Sequence, residues 1–112
     1  MRFRRALDRG NVTEALSAAS ELQFVALSDA LELTLLLADK EPEKYDRAAG
    51  RWHVRFLQEV PNVDLRESQA VLALLVAIPS NRLAATALAE LLSRRRSCER
   101  ACEALVRWAR AA

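Results

Sequence analysis

Apolar residues recur along this chain at intervals of three and four, the period of an amphipathic helix. Start and stop signals divide the pattern into seven segments. A short first helix runs from Arg2 to Arg9 and stops at Gly10. The second opens at Asn11, an N-cap with Glu14 three residues on, and its stripe is Val12, Ala15, Leu16, Ala19 and Leu22. The third, from about Val25 to Asp39, carries Leu27, Ala30, Leu31, Leu33, Leu35, Leu36 and Leu37. Only a narrow polar strip is left, which predicts a central helix.

Pro42 predicts the first position of a fourth helix, and Pro61 closes it. Its stripe is Tyr45, Ala48, Ala49, Trp52, Phe56 and Val60, with Gly50 inside it at a position that suits a close helix crossing. Asp64 with Glu67 opens a fifth helix that ends before Pro79. The Ala70–Ile78 run within it is apolar all round and calls for burial on several sides. Ser80 or Asn81 opens an Ala-rich sixth helix reaching about Arg95. Ser97 caps a seventh, whose stripe is Cys98, Ala101, Cys102, Leu105, Trp108 and Ala109.

Helix-opening segments recur along the chain. Gly10–Leu16 begins one and Glu43–Ala49 begins another 33 residues later; a third, Ser80–Thr86, matches them poorly. Each follows another helix, giving three helical hairpins and a seventh helix as a cap. Gly10–Leu16 with Ala19 and Leu22, and again Tyr45, Ala48 and Trp52, resemble the turn and second helix of a tetratricopeptide repeat. That resemblance covers about two-thirds of the chain and implies a short α-solenoid of three hairpins. Gly10 has no counterpart at Glu43, and a non-repetitive bundle of antiparallel helices satisfies the same pattern.

Composition fits either architecture. The chain has 112 residues, enough for one domain spanning 1–112, and only 2 Gly and 3 Pro, fewer turn formers than a β-rich fold uses. Aromatics are 5% of the chain, so Leu, Ala and Val must build the core. The net charge of +2 is small but unevenly spread. Residues 1–9 carry four Arg against one Asp, residues 10–46 eight acids against two Lys, and residues 82–112 seven Arg against three Glu. Either a polar surface field results, or opposite charges meet when the helices fold together.

The longest apolar run has nine residues, where a membrane span needs about twenty. Arg2, Arg4 and Arg5 are not followed by the apolar stretch of a secretory leader. With only two cysteines, four apart, the expectation is a cytoplasmic protein with reduced thiols.

Chemistry is sparse. The sequence has no phosphate-binding glycine loop, HExxH or CxxC motif, and His53 is its single histidine. Cys98 and Cys102 lie on an apolar stripe and suit packing better than nucleophilic or zinc chemistry, although a thiol in a first helical turn can be activated. No catalytic residue, metal or cofactor is assigned. Two cationic features stand out. Lys44, Arg47, Arg51 and Arg55, spaced 3, 4 and 4, form a ridge on the fourth helix suited to an acidic peptide or a phosphate backbone. The pairs Glu43–Arg47 and Arg55–Glu59 would partly neutralise it. Arg94, Arg95, Arg96 and Arg100 form the second, either capping helix carbonyls or contacting nucleic acid. The expected protein is an all-α domain of six to seven antiparallel helices that binds a protein partner as an adaptor or scaffold. Self-association through the fifth helix is a further expectation, and nucleic-acid-associated regulation the alternative.

Overall fold

In a computed structural model that describes residues 2–111, the chain forms seven helices with no strand among the described residues. They are α1 (Arg2–Asp8), α2 (Val12–Glu21), α3 (Leu27–Lys40), α4 (Tyr45–Glu59), α5 (Leu65–Ala77), α6 (Arg82–Leu92) and α7 (Glu99–Arg110). Short 3₁₀ turns at Pro42–Lys44, Ile78–Ser80 and Arg96–Cys98 lie between α3 and α4, α5 and α6, and α6 and α7. The fold is an all-α helical bundle.

Local chemistry sets most boundaries. Asn11, Asp64 and Asn81 each accept a backbone N–H through the side chain, from Glu14 at 3.0 Å, Glu67 at 2.8 Å and Leu83 at 3.0 Å. Each satisfies a donor that the first helical turn leaves open. Gly10 has φ +69°, and the bonds Asn11 N–H to Ala6 C=O and Gly10 N–H to Leu7 C=O close α1 in a Schellman turn. Two predicted starts move by about a turn. Pro42 opens the 3₁₀ turn, in which Lys44 N–H reaches Glu41 C=O at 2.9 Å, before α4 begins at Tyr45. Ser97 lies inside the last 3₁₀ turn with its hydroxyl toward Cys98, so it does not cap α7. The sixth helix stops at Leu92 rather than Arg95, where Ser93 turns its hydroxyl back onto Glu90 C=O at 2.7 Å.

α1 pairs with α2, α3 with α4 and α5 with α6, and α7 packs on both α6 and α3. Because α7 reaches back to α3, the hairpins close into a body of 36 × 30 × 22 Å. Nothing in this packing is specific to a tetratricopeptide array. One core joins α3 to α7 around Trp52, Phe56, Leu31, Leu75, Leu88 and Leu105, and a smaller one binds Phe3, Ala6, Leu7, Ala15 and Ala18 to α3.

α4 is fixed in rotation by its aromatics. The Tyr45 hydroxyl donates to Leu75 C=O at 2.6 Å and Trp52 Nε1–H donates to Leu27 C=O at 2.9 Å. Trp52 stacks on Phe56 with ring centroids 5.5 Å apart. That rotation buries Tyr45, Ala49, Trp52, Phe56 and Val60, as the stripe predicts, but leaves Ala48, also on the stripe, half-buried.

Three expectations are corrected by the packing. α2 buries Val12, Ala15 and Ala18, whereas Leu16 and Leu22 stay exposed because the helix presents its small residues to α1. α5 is covered on one side only: Val71, Leu75 and Ile78 are buried while Leu65, Leu72 and Val76 face outward. Gly50 marks no crossing, since a Cβ there would meet nothing within 4 Å.

Candidate functional site

The α4 rotation that buries Trp52 turns Lys44, Arg47, Arg51 and Arg55 toward α2 and α3. The three helices enclose a groove of about 570 Å³. Its apolar floor comprises Leu16 and Ala19 from α2, Val25 before α3, and Ala30, Leu33 and Leu37 from α3. All four predicted cations line the opposite wall, with Ala48 and the edge of Trp52 between them. All of the floor residues but Val25 were placed on apolar helix stripes from spacing alone. Leu37 is buried, but Leu16, Ala19, Ala30 and Leu33 are half-buried or exposed because α2 is ten residues long and covers only part of α3.

Two of the four cations are held in place. Lys44 Nζ lies 2.7 Å from Glu41 Oε1, and that hydrogen bond, reinforced by the charge, raises the ammonium pKa. Arg55 pairs with Glu59 at 2.7 Å, as expected from their spacing, and its guanidinium sits 5.5 Å above the ring of Phe24. Phe24 is 69% exposed at the rim of the groove. The predicted Glu43–Arg47 pair does not form. Glu43 belongs to the 3₁₀ turn ahead of α4, so the helical spacing that would align the pair is broken. Arg47 and Arg51 are exposed and take no ion-pair partner among the described residues.

The second cationic cluster is divided. Arg95 turns inward: Nε donates to Glu67 Oε2 at 2.9 Å, Nη2 bonds Glu67 Oε1, and Nη1 reaches Pro61 C=O at 2.7 Å. Nη2 also contacts Asn62 C=O at 3.1 Å, so Arg95 clamps the α4–α5 turn, in which Asn62 has φ +61°. Arg94, Arg96 and Arg100 are exposed. A trough of about 930 Å³ runs along α7 beside them, where Arg96, Arg107 and Arg110 alternate with Glu99 and Glu103. Mixed signs leave that surface without a strong field.

Several basic residues from both ends of the chain meet its acidic first third. Glu32 on α3 receives Arg4 from α1 at 2.5 Å and Arg107 from α7. Asp39 pairs with Arg82 at 3.3 Å and accepts from Trp108 Nε1–H at 2.9 Å, while Arg82 lies 3.9 Å over the Trp108 ring. Opposite charges therefore meet on folding. Glu32 was not singled out from the sequence, since its partners lie 28 and 75 positions away.

His53 is half-buried, with Nε2 3.0 Å from Ser68 C=O and 3.2 Å from Ser68 Oγ. Both cysteines are free. Burial raises the Cys98 thiol pKa, outweighing the hydrogen bond from Ser97 and the charge of Arg95, and burial raises Cys102 as well. Among the described residues no three His, Cys, Asp or Glu gather as a metal site, and no helix is long and apolar enough to cross a membrane. No family model, curated protein or solved structure matches this chain.

Proposed function

We propose that the chain is a protein-interaction domain whose α2–α3–α4 groove receives an acidic, amphipathic helical segment of a partner. One observation carries this reading: Arg47 and Arg51 stand exposed, without an ion pair among the described residues, over an apolar floor formed by Leu16, Ala19 and Leu33. An amphipathic helix seats leucine-like side chains on such a floor, and its acidic flank meets the cations. Carboxylates favour forked hydrogen bonds from guanidinium, which suits Arg at the centre of the wall. Lys44 and Arg55 extend the wall in both directions, and Phe24 adds an exposed ring at one end. This supports an adaptor or scaffold role in preference to catalysis.

Fluorescence anisotropy tests the reading with a labelled helical peptide bearing Leu at i, i+3, i+4 and i+7 and Glu on the flanking positions. The wild-type chain binds it saturably, and the affinity falls as salt is raised to about 0.5 M. The double substitution Arg47→Glu/Arg51→Glu weakens binding by at least about tenfold while leaving the helical circular dichroism intact. Equal affinity for both proteins contradicts the proposal.

A further inference from the structure

The proposed groove occupies one side of α4, and a second surface lies on the other. Leu65, Gln69, Leu72 and Val76 follow one another at i, i+4, i+7 and i+11 along α5, a single helix face. Leu65 is 85% exposed, Leu72 41% and Val76 68%. On α4, Gly50, Val54 and Leu57 repeat the same spacing, with Val54 53% and Leu57 41% exposed. Contacts from Tyr45 to Leu75 and from His53 to Ser68 set the antiparallel register of the two helices. Continuing that register brings Leu57 opposite Leu65 and Gly50 opposite Leu72. Leu83, 75% exposed, follows the turn beyond Val76.

We infer that this α4–α5 face is a self-association surface, occupied by a second copy of the same chain in an antiparallel, two-fold arrangement. Three features select a second copy. The α5 face carries no charge between Leu65 and Val76, with Gln69 as its polar residue, so the face meets itself without like-charge repulsion. A two-fold axis near the Gln69–Leu72 level brings Leu65 of one copy onto Val76 of the other, and Val76 onto Leu65, the isologous exchange that closed dimers require. Six large aliphatic residues at these exposures from each of two copies bury on the order of 1,000 Å², the lower bound for a specific interface. At about 500 Å² per copy the patch is as large as the largest apolar patches of ordinary monomers, which commonly mark interaction sites.

Sedimentation equilibrium of the full chain, from micromolar to near-millimolar concentration, is the test. The wild type reaches twice its 12.5 kDa chain mass. Leu72→Glu/Val76→Glu shifts the equilibrium toward monomer by at least about a hundredfold, since two carboxylates per copy enter an apolar contact. Leu65→Lys, at the exposed first residue of α5, weakens it without touching the core. Arg47→Glu/Arg51→Glu leaves it unchanged, which separates this surface from the peptide groove. A wild type that stays monomeric over the whole range overturns the inference. So does a dimer that persists in both α5 variants.

Discussion

A Cβ at Gly50 would meet no heavy atom within 4 Å, and the residue lies inside α4. Nothing there requires glycine, so Gly50→Ala stabilises the fold by about 0.8–1 kcal/mol, the difference in helix propensity. Gly10 is the opposite case. Its φ of +69° is unfavourable to any side chain, and Gly10→Ala costs about 1–2 kcal/mol even though the space around it is ordinary. Urea midpoints of the two variants should move in opposite directions. Tyr45 supplies a residue-level pH dependence. Burial raises its phenol pKa, so the folded state keeps the proton while the unfolded chain releases it above about pH 10. Stability contributed by Tyr45 is intact below that pH and is lost as pH rises, at up to about 1.4 kcal/mol per pH unit. Alkaline denaturation of the wild type and Tyr45→Phe, compared as slopes against pH, reads this contribution directly.

Among the elements, the α4–α5 turn depends on a residue from a different hairpin. Arg95 contacts Glu67 with two nitrogens and two backbone carbonyls with the same guanidinium. Arg95→Ala should destabilise the chain by about 1.5–3 kcal/mol, the range for charged hydrogen bonds. Arg95→Lys should recover little, since an ammonium cannot span the same fork; thermal unfolding of the two variants tests both statements. Helix boundaries were largely legible in the sequence because caps are local: Asn11, Asp64 and Asn81 act on backbone groups two or three residues away. The cationic wall was legible too, since Lys44 to Arg55 share one helix. Its floor was not. Whether Leu16 and Leu33 close a core or line a groove depends on how far α2 covers α3, which spacing within either helix does not encode. Arg95 was read with its neighbours for the same reason: its acceptors lie 28 to 34 positions away.

For the whole molecule, the uneven charge along the chain resolves into contacts. Arg4 and Arg107 converge on Glu32, and Arg82 reaches Asp39, so the basic ends of the chain neutralise much of acidic α3. Arg47 and Arg51 keep no ion pair among the described residues and, unlike the exposed Arg94, Arg96 and Arg100, they line the groove with the apolar floor. The proposed function rests on this pairing of two exposed cations with an apolar floor. The most direct test is backbone amide shift mapping, with the acidic amphipathic peptide titrated into isotope-labelled protein. Saturable shifts should cluster at Leu16, Leu33, Arg47, Ala48 and Arg51, with Arg94, Arg96 and Arg100 undisturbed. Shifts centred on those three arginines, or none that saturate, would contradict the account.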